Sequence, residues 1–587
     1  MASFAKRPSN LDTILAIRSK KDLKLKPNKY LKDTTELRYY QIVGCLHFLL
    51  LSRFILGDSA GLGKTLQSIS GYVFSLIRHP GLKLLIVTQK SARYQWKEEF
   101  DKFTQGITSH VVQNTWGKVV GDDIFGEPKE LRKKGYKVET LTGLDARIAQ
   151  YQTIDTDVLI VNWYAVQNEA KILCENRLPD YMVIFDEIQE IKNNETVAYL
   201  GAQYLVKHSV KAAGLSATII KNRLEEAYNI FEAIIPGIFG GKQKFLKHYT
   251  NQKKIKMRRG GRTRFINKIA SYKNLGDFKE VIRPYFLIRR TSEVASELPS
   301  LISKRVLLDM DEDQFSLYKE ALAGDVYRRI VKKRYFEFKE LVESKEQPTD
   351  KELEKLEKLE TQYDESTMED CMWKNKAASL TYCQMISNGP QWLDEDEKGS
   401  SVKEEEFKRI FEQELCAEKV IVFTRFESGV KRLEKILENL GLKSVKVTGT
   451  MNQKKRDAAR HAFQNDDDVT AIIITSAGSA AINLQKANVL LFYDTPWSYG
   501  DLYQTIGRAQ RIGSMHEHVY VLHFVAKGTI DEHVLNVLKD KKKLINEVMG
   551  DIAEGSLEFD KNKELFVEEE SDIDALFDAV FDYQEEK

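Results

Sequence analysis

Cysteine is scarce in this chain and shows no pairing pattern. Its five cysteines, Cys45, Cys174, Cys371, Cys383 and Cys416, are scattered through 587 residues with no Cys-x-x-Cys pair. No disulfide framework or zinc module is expected from that spacing, and a reducing compartment fits it. Long apolar runs are missing too. The longest, around Cys45 to Leu56, is broken by His47 and Arg53, so no membrane span is expected. The first residues carry early lysines and arginines among polar residues and no apolar signal core. A charge excess is also lacking, for the net charge is only +2. That excludes a uniformly basic protein but leaves room for one basic groove on a balanced surface. No nuclease, zinc or methyltransferase constellation is visible. What remains is an ordinary globular composition, 42% hydrophobic and 30% charged. The length suits about two to four domains. The expected location is the cytoplasm of a bacterial or virus-infected cell, or the nucleus if the source is eukaryotic.

One short run dominates what is present: Asp58 to Thr65, DSAGLGKT. It follows apolar Phe54, Ile55 and Leu56 and precedes a helix-like stretch from Leu66 to Ile77. Strand, glycine loop, helix is the setting of a phosphate cradle. Gly61 and Gly63 let backbone N–H groups turn towards phosphates, and the following helix points its positive end at the same anion. Lys64 supplies a point charge for the β/γ-phosphates of ATP, and the Thr65 hydroxyl is placed to hold Mg²⁺. Asp58 departs from the general pattern, which asks for Gly there. Upstream, Gln41 in LRYYQ is a candidate for reading an adenine edge, since its amide donates and accepts at once. Taken alone, it reads better as a surface glutamine, and it is the P-loop shortly downstream that favours the adenine role.

MVIFDE, Met182 to Glu187, is a buried strand that delivers two acids at its end. Asp186 suits the Mg²⁺, and Glu187 suits the attacking water. AAGLSAT ends another strand with Ser216 and Thr218, candidates for coupling the ATP site to motion. LKLLIVT and DVLIVN read as further parallel strands. Loops at such strand ends bind ligands in open α/β sheets. Lys90, Ser91, Asn162 and Trp163 are therefore candidate nucleic-acid contacts, with plain loop chemistry as the other reading.

Residues 220–300 read as helical and irregular. They contain NQKKIKMRRGGRTRF, with Lys254, Arg258 and Arg259 among its cations and no acid. Phosphate contact, a solvated loop and a nuclear-import signal all remain open for it. Residues 335–370 are rich in Glu and Lys at i, i+4 spacing, which reads as a long exposed helix, with Pro348 and Asp350 placed to punctuate a helical pair. A fresh α/β pattern begins near Lys419, with strand ends at Thr448, Gly449 and Ser476. QTIGRAQRIG then presents Gln504, Arg508 and Arg511. The two arginines lie three apart, on one face if the run is helical. Such charge on a phosphoryl-transfer transition state is worth about 10³–10⁵ in rate. In the acidic tail, Ile573, Leu576, Phe577, Val580 and Phe581 share one helical face. Docking on its own body, a partner protein and an acidic plug competing with DNA all remain open for it.

In this order the motifs resemble the Swi/Snf family of DNA-translocating ATPases within superfamily two, over roughly residues 36–550. DSAGLGKT is similar to that family's P-loop, Asp included. Leu-Arg-x-Tyr-Gln at Gln41, DEIQEIKN from Asp186, Trp497 ahead of Gln504, GRAQRIG and GTIDE at Gly528 carry the rest. Gln189 stands where that family usually has His, and SAT at Ser216 differs from its usual Thr-Gly-Thr. A compact bacterial or viral member is expected.

The resemblance implies an α/β fold with two RecA-like lobes and ATP in the cleft between them. The expected division is a basic lead-in at 1–35, a first lobe at 36–300 and a helical protrusion and linker at 301–415. A second lobe at 416–550 and a tail at 551–587 follow. The first lobe carries a helical and basic insertion at about 220–285. ATP and Mg²⁺ are the implied cofactors. Double-stranded DNA is the implied partner, engaged as a monomer, with the tail offered to a protein. Three functions stay open: a duplex translocase, a strand-separating DNA or RNA helicase, and an ATP-gated scaffold with little turnover.

Overall fold

The computed structural model describes residues 11–542 and 565–566, apart from 19, 26–27, 178–179, 220–222, 260–261, 291–297, 346, 368–374, 395–398, 400, 477, 479–482, 512–513 and 540–541. The apolar tail helix expected at 573–581 lies outside the described residues. The chain divides into two units, one of Met1–Glu297 with Leu544–Glu569 and one of Leu298–Lys543 with Glu570–Lys587.

The strands of the first unit are β1 (Arg53–Leu56), β2 (Lys83–Thr88), β3 (Ser109–Val111), β4 (Thr115–Val119), β5 (Phe125–Gly126), β6 (Val138–Thr142), β7 (Val158–Asn162), β8 (Tyr181–Asp186), β9 (Lys211–Leu215), β10 (Thr250–Arg259), β11 (Arg262–Tyr272) and β12 (Phe286–Leu287). Seven of them form one sheet in the order β12-β1-β9-β8-β2-β7-β3, and every neighbouring pair is parallel. The apolar runs follow from this. A parallel sheet is covered on both faces, so Leu84 to Val87 and Met182 to Phe185 are buried without alternation. Behind β1, helices Tyr39–Leu50 and Lys64–Arg78 approach closely. A Cβ on Gly44 would lie 1.8 Å from the Gln67 amide oxygen, and one on Gly71 would lie 2.4 Å from the Phe48 ring.

In the second unit β13 (Ser300–Leu308), β14 (Val420–Phe423), β15 (Lys443–Val447), β16 (Val469–Ile474), β17 (Val489–Phe492) and β18 (His518–Ala526) form a parallel sheet in the order β13-β18-β17-β14-β16-β15. Val420 and Val422 belong to the core on one face, Ile421 and Phe423 to the core on the other. The α/β class with two helix-flanked parallel sheets is thus the observed architecture.

Several expectations are corrected. The basic lead-in contains helix Leu11–Arg18, with Ile14 fully buried and the Arg18 Nε donating to His47 Nε2 at 3.1 Å. The basic run after residue 250 is an antiparallel hairpin, β10–β11, joined at its base by β19 (Leu565–Phe566). A second small antiparallel sheet, β5-β4-β6, had no sequence signal assigned to it. Residues 300–308 are not linker but the edge strand β13 of the second sheet. Helix Val402–Gln413 packs Phe407, Ile410 and Phe411 into that sheet's core. The Lys/Glu-rich stretch, by contrast, forms the helical pair read from its punctuation, Asp325–Glu343 and Asp350–Ser366, joined by a stack of Tyr335 on Tyr363 at 5.1 Å. Thr349 and Glu352 make the capping box that starts the second of them.

Candidate functional site

The first sheet lines up three strand ends. In register, Leu56 of β1 lies beside Leu215 of β9, and Leu215 lies beside Asp186 of β8. The P-loop, the Ser216–Thr218 turn and the acid pair therefore leave neighbouring strands at one level. About 10 Å separates β1 from β8.

The loop after β1 is shaped by Gly61 (φ 86°) and Gly63 (φ 71°), both in the left-handed region. A side chain at Gly63 would also strike the Gln41 amide, whose nitrogen would lie 2.6 Å from the added Cβ. Gln41 is buried on helix Tyr39–Leu50. Its amide oxygen accepts from the Arg38 N–H at 3.0 Å, and its amide nitrogen donates to the Leu62 carbonyl at 3.4 Å. Lys64 and Thr65 open helix Lys64–Arg78, which has no side-chain cap at its N-terminus. The Lys64 ammonium donates to the carbonyls of Asp58 at 2.7 Å and Ser59 at 3.3 Å. Thr65 is half-buried in the first turn.

The departure at Asp58 has a structural cause. Asp58 is 0% exposed and forms an ion pair with Arg289, a residue that no motif marks. The Arg289 Nε donates to Asp58 Oδ1 at 2.9 Å, and one Nη donates to Asp58 Oδ2 and, at 2.8 Å, to the Gln67 amide oxygen. The other Nη donates to the Tyr40 carbonyl. Gln67 also donates to Asp58 at 3.0 Å. A glycine could not hold this arginine.

Asp186 is held on four sides. Its Oδ2 accepts from the Thr88 hydroxyl at 2.8 Å and the Trp96 indole at 2.9 Å, and its Oδ1 accepts from the Glu187 N–H at 3.1 Å. Its carbonyl accepts from the Trp163 indole at 3.1 Å. Burial, then the charge of Glu187, push the Asp186 carboxyl above the ordinary aspartate range. The bonds from Trp96 and Thr88, with the charge of Lys64, pull the other way. Lys64 thus acts electrostatically on Asp186. Glu187 itself sits at φ 53°, ψ 54°, a rare conformation for a non-glycine residue. Gln189 donates its amide N–H to Glu187 Oε2 at 2.5 Å. Ser216 Oγ accepts from the Thr218 N–H at 2.9 Å.

Among the described residues, two buried oxygens here, Thr218 Oγ1 and Gln189 Oε1, have no hydrogen-bond partner. They are spare polar capacity that a polar ligand could meet. Among the described residues no group of three or more His, Cys, Asp or Glu is placed to hold a metal. A hydroxyl at Thr65 and one buried carboxylate at Asp186 instead fit Mg²⁺ of the kind that keeps most of its shell for waters and substrate phosphates.

Trp163 corrects one expectation. It is 6% exposed and stacks on Phe185 while bonding to Asp186, so it positions the acid strand and is not a surface contact. Asn162 accepts from the Ala165 N–H at 3.3 Å and starts the next helix. Lys90 is exposed and Ser91 half-buried in the loop after β2. Lys254 is exposed on β10, where Arg258 and Arg259 also lie. Sequence reasoning missed Thr88, Trp96 and Arg289. Each is an ordinary residue whose role appears only through a distant partner.

In the second unit, Thr448 follows β15 and is buried, with Gly449 exposed beside it. Ser476 is exposed after β16. Gln504 and Arg508 lie on helix Tyr499–Ala509, Gln504 half-buried and Arg508 8% exposed. Arg511 does not share that helix. The chain leaves helical geometry at Gln510, and the Arg511 Nε folds back to donate to the Gly507 carbonyl at 2.9 Å. Asp531 of the GTIDE run pairs with fully buried Lys403 at 2.6 Å, and Arg425 lies 3.9 Å above the Trp497 ring.

A family model described as the SNF2-related domain matches residues 44–368, and one described as the helicase conserved C-terminal domain matches residues 402–513. An uncharacterized ATP-dependent helicase of Mycoplasma pneumoniae is 24% identical over 88% of this chain and 42% of its own length. The uncharacterized ATP-dependent helicase YqhH of Bacillus subtilis is 23% identical over 85% of this chain and 76% of its own. A DNA repair and recombination protein RAD54-like of Drosophila ananassae is 24% identical over 87% and 62%. The chain thus spans only part of these relatives. A solved structure described as the Sulfolobus solfataricus SWI2/SNF2 ATPase core in complex with dsDNA aligns over 91% of this chain and 97% of its own, at 21% identity and a TM-score of 0.35. With more than half of its 587 residues matched by the first family model, the chain belongs to the SNF2-related family of ATP-dependent helicase-like ATPases.

Proposed function

We propose that this chain hydrolyses ATP at the strand ends of its first unit and uses the cycle to move along double-stranded DNA, remodelling DNA or protein–DNA complexes. The alignment of Leu56, Leu215 and Asp186 carries the reading, because it gathers a phosphate loop, a hydroxyl turn and an acid pair at one level of one sheet. In this reading Lys64 and the N–H groups around Gly61 and Gly63 hold the β/γ-phosphates. Thr65 and Asp186 would hold Mg²⁺, which when bound neutralises phosphate charge. Glu187 orients the attacking water and takes its proton. Gln41 and Gln504 contribute to nucleotide binding. Arg508 and Arg511 offset the charge that develops on the transferred phosphoryl group. Ser216 and Thr218 sit one strand from both the P-loop and the acid pair, which suits them to relay the state of the nucleotide.

Asn162 ends a parallel strand, and Lys90, Ser91, Thr448, Gly449 and Ser476 follow the C-terminal ends of others, where such sheets meet their ligands. We assign them to the nucleic-acid track, with the protein working as a monomer. The Drosophila relative, named for DNA repair and recombination, favours DNA as that track.

The test is ATP-driven displacement of a third strand from a fully paired duplex, run beside unwinding of a fork. Displacement of the third strand without unwinding is the expected result. Fork unwinding alone would replace the translocase by a helicase. ATP turnover with neither movement would remove the motor reading.

A further inference from the structure

The hairpin β10–β11 takes no part in the nucleotide site. Its strands carry eight lysines and arginines and no Asp or Glu. Lys253 and Lys254 are exposed. We propose that this hairpin is a separate, nucleotide-independent grip on the phosphate backbone of a nucleic acid. The proposal rests on the reading that the chain works on nucleic acid, and adds a site to it.

Register supplies the argument. Lys253 stands opposite Lys268, and Arg259 stands opposite Arg262. Like charges directly across an antiparallel pair oppose the pairing that holds them. At alternate positions Lys254, Lys256 and Arg258 follow one another at steps of about 7 Å. Their cross-strand partners are Asn267, Phe265 and Thr263, none of them anionic. Neither strand places an anion opposite this row. A ligand with regularly repeating anions would neutralise it.

The base of the hairpin is anchored in the first unit. Ile269 and Tyr272 are buried in the core of the first unit. The Tyr272 hydroxyl donates to Glu225 at 2.6 Å, and Asn251 donates to the Ser271 hydroxyl at 2.9 Å. A membrane-binding element would need a continuous apolar face.

The experiment uses the full chain and a fluorescent duplex, with binding measured without nucleotide across a salt titration. The triple variant Lys254→Gln, Lys256→Gln, Arg258→Gln should lower the slope of log affinity against log salt by about 2–3, at roughly 0.9 for each phosphate that is no longer neutralised. The charge-conserving variant Lys254→Arg, Lys256→Arg, Arg258→Lys should keep the wild-type slope. An unchanged slope in the triple variant would overturn the grip while leaving the motor reading intact. An equal drop in both variants would show a role in hairpin folding instead. Absence of any nucleic-acid binding by the wild-type chain would remove the motor reading together with the grip. Binding of polyglutamate or anionic vesicles as tight as that of nucleic acid would overturn the assignment of the ligand.

Discussion

The guanidinium of Arg289 bonds to both carboxylate oxygens of Asp58, a residue 231 positions earlier in the chain. Asp58 belongs to the P-loop, and Arg289 follows the strand that pairs beside β1. The loop that would hold phosphate is therefore braced by a segment far along the first unit. Both partners are buried, so each depends on the other to offset the cost of lost hydration.

Removing one partner should strand a buried charge. Arg289→Met is expected to cost about 3–5 kcal/mol of stability and to weaken ATP binding. Adding Asp58→Asn should recover most of the stability, because no unpaired charge remains. Denaturant unfolding of the two variants checks this, and a double variant no better than the single one would contradict it.

Trp96 and Thr88 stabilise the Asp186 carboxylate, whose proton affinity burial and Glu187 have already raised. Replacing Trp96 by Phe deletes a donor to the charged form, so the carboxyl should hold its proton to a higher pH. The acid limb of kcat/KM against pH should then move upward relative to wild type. A limb that stays in place would mean that Asp186 does not titrate in the working enzyme.

Glu187 combines a strained backbone with the proposed work on water. Asn tolerates the left-handed region better than Glu does. Glu187→Asn should therefore raise stability by about 1 kcal/mol and abolish turnover while ATP binding persists. Thermal melting and a nucleotide-binding assay separate the two effects. Turnover near wild type would remove the role assigned to Glu187.

Arg511 gives a contrast with Lys64. Lys64→Ala should lose tight ATP binding and turnover together. Arg511→Ala should bind ATP normally and hydrolyse it at least about 10³-fold more slowly. Normal hydrolysis by the Arg511 variant would leave the second unit without its proposed part in the chemistry.

The legible parts of the site were those whose chemistry is local. Gly61, Gly63 and Lys64 lie within one loop, and Asp186 and Glu187 end one apolar strand, so short runs betrayed them. Thr88, Trp96, Trp163 and Arg289 act across the fold, and nothing beside them in sequence marks their partners. The parallel sheets were legible because uninterrupted apolar runs such as Leu84 to Val87 have few other uses. Strand β13 was not, because much of it is exposed and its partner β18 begins at His518. The hairpin was hidden by its cations, which mask the alternation of a strand. The Gly260-Gly261 pair between two such runs was the available signal. Arg511 misled for another reason, since residue spacing gives a shared face only while the helix continues.

Steady-state ATP hydrolysis with Mg²⁺ would test the central claim most directly, compared without nucleic acid and with matched duplex DNA, single-stranded DNA and RNA. Strong stimulation by duplex DNA, above that by either other polymer, is the expected result. Equal rates under all four conditions, or no turnover in any of them, would contradict the account of an ATP-driven motor on duplex DNA.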